Sequence, residues 1–346
     1  MNLYDLSPAE METLFANWQE PSFRVRQLWT GLYRSLWYDA ADFSTMPKSL
    51  RAKIESEFNL NPISEEIKLH STDGETEKVL FKLADGGSVE TVLMNYDRRR
   101  TLCISTQVGC AMGCTFCATG QMGFTRHLSS GEIIAQILYY ERQLAANEEH
   151  VTNIVFMGMG EPFHNYDNVI KAIDTLNDAD GMRFGARRFT ISTSGLVPKI
   201  REFADESRQV NLAISLHSTD DVKRSRMMPV NRRYPIHDLM EACRYYLDKT
   251  SRRITFEWAL IYDENDTEAE AERLAALLKG MLCHVNTIPL NPTTGYAGKA
   301  TSPERALKFK EILESHGIPC TIRLRRGIDI QAGCGQLASA SNTKQH

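Results

Sequence analysis

From about residue 101 the chain settles into a repeat in which short apolar runs alternate with stretches whose apolar positions recur at helical spacing. Strand-like runs fall at residues 101–106, 153–159, 188–193, 210–216, 254–261 and 285–290, with a last one at 320–324. Several are almost continuously apolar, as parallel strands must be when helices cover one side and a filled interior lies on the other. Between the first two, Ser129-x-x-Glu132 reads as a capping box ahead of Ile133, Ile134, Ile137 and Leu138, which share one helix face. Six or so successive strand–helix units specify an α/β fold, a whole or partial βα barrel.

Two regions precede that repeat. Residues 1–62 read as an accessory helical domain, in which Leu14, Phe15 and Trp18, then Phe23, Leu28, Trp29, Leu32, Tyr33 and Leu36, recur near helical spacing around Pro21 and Pro47. Residues 63–97 change to short alternating runs at 66–70, 78–83 and 89–95, separated by Asp73-Gly74 and Asp85-Gly86-Gly87. This is the pattern of a small antiparallel β region. The barrel then spans 98–325, and 326–346 form a cysteine-bearing C-terminal loop and tail.

Composition narrows the function classes. With 346 residues, 42% hydrophobic and 24% charged, the chain is of globular type, and no apolar run approaches the roughly 20 residues of a membrane helix. The N-terminus, Met-Asn-Leu-Tyr-Asp-Leu, carries neither a basic start nor an apolar core, so a cytoplasmic protein is expected. In that reducing compartment the eight cysteines are metal ligands, catalytic thiols or core residues rather than structural disulfides. A net charge of −4 argues against general affinity for polyanions. Yet basic clusters recur at Arg98, Arg99 and Arg100, at Arg187 and Arg188, at Arg232 and Arg233, at Arg252 and Arg253, and at Arg323, Arg325 and Arg326, and a local patch of this kind can hold a nucleic acid.

The densest chemical signal is Cys110-Ala-Met-Gly-Cys114-Thr-Phe-Cys117, three thiols in the loop after the first barrel strand. Structural zinc takes four ligands, most often as two separated pairs, and no second pair exists here. Three closely spaced thiols suit a [4Fe-4S] cluster with one iron left open. This Cx3Cx2C loop resembles that of the radical S-adenosylmethionine (SAM) superfamily, whose members bind SAM at the open iron and cleave it to a 5′-deoxyadenosyl radical. The resemblance implies SAM contacts at the C-terminal ends of successive strands. Gly160 and Glu161 of Gly158-Met-Gly-Glu-Pro162 follow the second strand, Ser192 of Ser192-Thr-Ser-Gly the third, Ser215, Leu216 and His217 the fourth, and Asn291 of Asn291-Pro292 the last.

The match goes further. Cys103-Ile-Ser-Thr-Gln-Val-Gly-Cys110, Cys117-Ala-Thr-Gly-Gln-Met-Gly-Phe, Phe156-Met-Gly-Met-Gly-Glu-Pro162 and Cys334-Gly-Gln-Leu resemble the RlmN family of adenine-C2 RNA methyltransferases, over residues 23 to 337. The related Cfr family, which methylates C8 of the same adenine, is the alternative, and Gly160-Glu161-Pro162 and Ser192-Thr-Ser-Gly are closer to RlmN. A non-catalytic, zinc-holding RNA-binding protein is the alternative of a different class.

The resemblance implies a mechanism. Adenine C2 is an electron-poor carbon that does not attack the methyl of SAM, so one SAM methylates Cys334 and a second supplies the radical that activates the S-methyl group. The methylene carbon adds to C2, Glu90 of Val89-Glu-Thr-Val92 accepts the C2 proton, and Cys103 attacks the Cys334 sulfur, releasing methylated RNA as a transient disulfide forms. The Gly-rich Gly333-Cys334-Gly335 suits a loop that delivers the thiol, while Cys243, Cys283 and Cys320 match no motif and read as core residues. The implied substrates are a 23S rRNA adenine at the peptidyl transferase centre and a tRNA adenine 3′ of the anticodon. A donor such as flavodoxin or ferredoxin supplies electrons to a monomeric enzyme. Arg24, Arg26 and Arg34, interleaved with Phe23, Trp29 and Tyr33, resemble the family's accessory RNA-binding helices. The chain departs from the family pattern at Gln331-Ala332-Gly333, where Asp-Ala-Ala is commoner, and at Leu290, where Trp is often found.

Overall fold

The computed structural model, which describes residues 2–338, is an α/β fold arranged on one ten-stranded sheet. Helices α1 (Pro8–Asn17), α2 (Phe23–Tyr33) and α3 (Lys48–Glu57) come first. Three antiparallel strands follow, β1 (Ile63–His70), β2 (Thr76–Leu83) and β3 (Ser88–Tyr96), and β3 pairs antiparallel with β4 (Arg99–Cys103). From β4 onward every neighbour in the sheet is parallel and in chain order: β7 (Asn153–Phe156), β8 (Phe189–Thr193), β9 (Asn211–Ser215), β10 (Ile254–Leu260), β11 (Cys283–Pro289) and β12 (Cys320–Ile322). Strands β5 (Gln107–Gly109) and β6 (Phe124–His127) form a separate two-stranded ribbon that brackets the cysteine loop. The sheet order runs from β1 to β12 without closing, so the barrel is partial.

The connecting helices are α4 (Ala118–Gln121), α5 (Ser130–Ala145), α6 (Tyr166–Asn177), α7 (Val197–Asp205), α8 (Asp221–Met227), α9 (Ile236–Thr250), α10 (Glu268–Leu278) and α11 (Pro303–Ser315). The capping box expected for α5 is present, with Ser129 Oγ accepting from the Glu132 amide and the Glu132 carboxylate accepting from the Ser129 amide. None of these helices, among the described residues, is long and apolar enough to cross a membrane.

Strands β4 and β7 end earlier than the apolar runs suggest, at Cys103 and Phe156. The residues beyond them still pair, but as loops: Ile104 N–H donates to the Val155 carbonyl, Gly158 N–H to that of Ile104, and Thr106 N–H to that of Met159. Glycine is required at this junction because a Cβ on Gly158 would sit 2.6 Å from the Ile104 carbonyl oxygen, and one on Gly160, at φ +103°, 2.6 Å from the Gln107 Cβ. The two glycines therefore let the second strand's loop press against the first, besides facing the cavity described below.

The N-terminal helices share a single hydrophobic core with the barrel. This corrects the expectation of RNA-stacking aromatics at two positions, since Trp29 (2% exposed) and Tyr33 (1%) are buried. Trp29 Nε1 donates to Asp178 Oδ1 at 2.9 Å, and Arg34 donates to the carbonyls of Gly181 and Ala179 at 2.9 and 2.6 Å. Arg26 pairs with Asp180. These groups fasten the helices to the loop after α6, because a buried indole N–H needs an acceptor and that loop supplies one. Phe23, 58% exposed with the Arg24 guanidinium over its ring, remains on the surface.

Candidate active site

The C-terminal ends of the parallel strands surround a cavity of about 150 Å³. Cys110, Cys114 and Cys117 all line it, as do Gly158, Gly160, Glu161, Ser192, Ser215, His217, Asn291 and Cys334. Thus residues separated by more than 200 positions in the chain meet on one wall. The loop carrying the three thiols is fixed at its base, where Cys110 N–H donates to the Gly123 carbonyl, and at its end, where Ala118 N–H donates to the Gly335 carbonyl.

The donor set fits an iron–sulfur cluster better than zinc. A cubane takes each thiolate on a different iron, which three cysteines spread along one eight-residue loop can supply. Burial pushes the Cys110 thiol up to about 12 and those of Cys114 and Cys117 upward as well. Ligation must therefore displace a proton from each sulfur, as cationic metals do.

The expected SAM-contacting residues do not all behave alike. Glu161 is buried, and its two oxygens already accept from backbone amides: Oε2 from Ser194 at 2.7 Å and Oε1 from Phe163 at 3.0 Å. It joins the loops after β7 and β8 and holds the rim in shape. Burial pushes its carboxyl up, against the pull of those amides. His217 is a neutral ring. Its Nδ1 accepts from the Ala259 amide at 2.9 Å, which leaves the proton on Nε2, and burial together with the nearby Arg224 lowers its pKa to about 3. Its backbone is left-handed at φ +59°, an uncommon conformation for a side-chain-bearing residue, locked by Asn265 Nδ2 donating to its carbonyl at 2.8 Å. Leu216 does not face the cavity; its side chain joins the core, and its N–H donates to the Glu257 carbonyl.

Arg224, on α8, was not legible as a site residue. It is fully buried, and its guanidinium donates to four acceptors: the carbonyls of Leu216 (3.0 Å), Ser194 (2.8 Å) and Ser215 (2.9 Å) and Asn231 Oδ1 (2.8 Å). One planar fork thereby fixes the ends of β8 and β9 relative to each other. Burial lowers its pKa to about 10, so it stays charged at neutral pH. Its sequence neighbours Lys223 and Arg226 are ordinary charges, and nothing in the pattern separates it from them.

The remaining reactive candidates gather around the C-terminal segment. Cys334 is exposed and lines both the main cavity and a small adjoining pocket that it shares with Cys103, Met157 and Arg323. All eight cysteines are free thiols. Burial among protein atoms pushes Cys103 up to about 12, while Arg323 pulls the thiols of both Cys103 and Cys334 down. Glu90 does not line the main cavity. It lies on the far side of the segment, buried at 5%, with Oε1 3.0 Å from Lys78 Nζ and Oε2 accepting from Ala338 N–H at 2.8 Å. Burial raises its pKa against the pull of Lys78.

The segment itself is laid across the open side of the sheet. On the β1–β3 side, Thr72 donates to Asp329 through its N–H and Oγ1, and Lys78 Nζ donates to the Gln331 carbonyl at 3.2 Å. On the barrel side, Asn291 Nδ2 donates to the Cys334 carbonyl at 3.0 Å, Gln336 Nε2 to Pro292 O at 2.9 Å, and Thr119 Oγ1 to Leu337 O at 2.6 Å.

Known proteins share these features. Residues 104–275 match the radical SAM superfamily, and residues 1–60 match the ribosomal RNA large subunit methyltransferase N-terminal domain. A protein of Myxococcus xanthus named "Dual-specificity RNA methyltransferase RlmN 1" is 49% identical over 338 residues, covering 97% of this chain and 94% of its own length. One of Chloroflexus aurantiacus, named "Probable dual-specificity RNA methyltransferase RlmN", is 47% identical, covering 97% and 92%. The crystal structure of a radical SAM methyltransferase from Sphaerobacter thermophilus superposes with a TM-score of 0.96 at 50% identity, covering 98% of this chain and 99% of that one.

Proposed function

The chain belongs to the RlmN family of radical SAM RNA methyltransferases, and from that premise we propose that it methylates C2 of adenine in 23S rRNA, and of the adenine 3′ of the anticodon in tRNA, through a methyl group carried on Cys334. When bound, the [4Fe-4S] cluster and SAM of this superfamily supply a 5′-deoxyadenosyl radical. The observation that carries the reading is the position of Cys334, which lines the cavity holding Cys110, Cys114 and Cys117 and also the pocket holding Cys103. One thiol so placed can take a methyl group on one side and be resolved by a partner thiol on the other.

In this reading Cys110, Cys114 and Cys117 hold the cluster. Gly160, Ser192, Ser215, His217 and Asn291 form the SAM-facing wall, and His217 presents an Nε2 donor there. Glu161 lines the same wall and holds its shape through two backbone amides, and Leu216 supports it from behind through its carbonyl bond to Arg224. Arg323, which draws both thiols toward ionisation, favours the Cys334 thiolate that attacks the first SAM. Glu90 takes the C2 proton, and the Cys103 thiolate then attacks the Cys334 sulfur: the S–S bond forms as the C–S bond to the RNA breaks. The methylene leaves with the bonding pair and takes up a proton to become the methyl, and the adduct's unpaired electron passes to a one-electron acceptor of the flavodoxin or ferredoxin type. Two SAM are used per turnover, and a flavodoxin- or ferredoxin-type donor supplies the electron. The enzyme works as a monomer in the cytoplasm.

The test is anaerobic reconstitution with SAM, reductant and a 23S rRNA fragment carrying deuterium at adenine C2 or C8, read by mass spectrometry. Loss of the C2 label with a gained methyl supports the reading, and loss of the C8 label assigns the Cfr reaction instead.

A further inference from the structure

A carboxylate that is to accept a proton must be ionised beforehand, and burial works against that. Glu90 is 5% exposed, and burial pushes its pKa upward. Across the β2–β3 ladder Lys78 stands opposite Val92, two residues along the same face from Glu90, which makes the two side chains diagonal neighbours. Lys78 is itself buried, its Nζ lies 3.0 Å from Glu90 Oε1, and among the described residues it is the one cation in ion-pair range of Glu90. The same ammonium donates to the carbonyl of Gln331, three residues before Cys334. The other carboxylate oxygen, Oε2, accepts from Ala338 N–H, four residues beyond Cys334. The segment that carries the methyl-bearing thiol thus touches Lys78 ahead of that thiol and Glu90 beyond it.

We propose that Lys78 is a positioning residue for the proton-abstraction step: it fixes one oxygen of Glu90, holds the carboxylate ionised, and leaves Oε2 to receive the proton once Ala338 moves away with the C-terminal segment. This rests on the assignment of Glu90 as proton acceptor. In the step, the adenine C2–H bond of the covalent adduct breaks, the proton passes to Glu90 Oε2, and the bonding pair stays in the adduct. The other groups around Glu90 are the Met159 sulfur, which accepts from the Glu90 amide, and Asp329, which lines the same pocket; neither supplies a positive charge. Replacing Lys78 by an apolar residue therefore removes the charge that opposes burial and pushes the carboxyl further up, so that proton abstraction weakens and recovers as pH rises.

The experiment is an anaerobic single turnover of the reconstituted full-length protein on an RNA fragment deuterated at C2. It follows 5′-deoxyadenosine, the protein–RNA adduct on denaturing gels, and methylated product across pH. Lys78→Met is expected to form 5′-deoxyadenosine and adduct at the wild-type rate. That adduct should keep its C2 label and resolve at least about 10-fold more slowly at neutral pH, recovering as pH is raised. Lys78→Arg should restore the wild-type pH profile. In a Glu90→Gln background, Lys78→Met should slow resolution no further, because it acts through Glu90. Wild-type resolution and pH profile in Lys78→Met, or a pH-independent loss that Lys78→Arg does not restore, would overturn the proposal. If Lys78→Met does not fold, Lys78→Gln and Lys78→Arg carry the same comparison. A wild-type enzyme that forms no adduct sinks the underlying function as well, which sets that failure apart from a failure of Lys78 alone.

Discussion

The two sides of the cavity are built on opposite plans. On one side the strand ends of β7, β8 and β9 are cross-braced by buried groups: Glu161 ties two loops through backbone amides, and Arg224 gathers three carbonyls in one guanidinium. On the other, Cys334 sits on a segment of turns that crosses the gap between β12 and the β1–β3 strands, held by separate side-chain bonds such as those from Asn291, Gln336 and Thr119. The braced side suits a cofactor whose position must not change. In the proposed reaction the strapped side carries a thiol that reaches a methyl donor, an RNA base and Cys103 in turn. The difference is one of energetics: removing a single bond from the strap costs about 1 kcal/mol, whereas removing the buried cation strands several acceptors at once.

The comparison can be broken at its chemistry first. Cys334→Ala should abolish RNA methylation, a loss of at least about 10³-fold, while 5′-deoxyadenosine is still produced. Cys103→Ala should accumulate a covalent protein–RNA adduct on denaturing gels, and free methylated RNA at the normal rate from that variant would remove Cys103 from the mechanism.

Next in size is the brace. Arg224→Met leaves the carbonyls of Ser194, Ser215 and Leu216 without their donor, and a loss of about 3–5 kcal/mol follows. Calorimetry should show the melting temperature falling by on the order of 10 °C, and equilibrium dialysis should show SAM affinity reduced. Unchanged SAM affinity in a folded variant would show that the brace serves stability alone. The smallest effect belongs to the strap: Asn291→Ala frees the Cys334 carbonyl and should change stability by about 1 kcal/mol or less. Methyl transfer to Cys334, followed by peptide mass, should change several-fold more than that stability loss implies.

Much of this was legible in the sequence because it is local. The three thiols fall within eight residues, the capping box within four, and the strands of the barrel each announce themselves as an apolar run. What was not legible depends on contacts between distant segments. Arg224 reads as one more surface charge until the fold turns it inward, and Lys78 sits in an alternating strand whose polar residues would ordinarily face water. Trp29 and Tyr33 carry an RNA-binding composition, yet the loop at Asp178 gives the indole its acceptor and draws both rings into the core. Glu161 looks like a ligand group by its place in the motif, and only the positions of the Ser194 and Phe163 amides show that its oxygens are engaged.

The central claim is that the methyl group reaches RNA by way of Cys334. To test it, the enzyme is loaded without reductant from SAM bearing a trideuterated methyl, freed of excess, and given unlabelled SAM, reductant and RNA for a single turnover. Hydrogen abstraction from the S-methyl group removes one deuterium before the carbon joins adenine, so the account expects a first product whose methyl carries two. A product methyl with three deuteriums would mean direct transfer of an intact methyl, and one with none would mean that the methyl never resided on the protein.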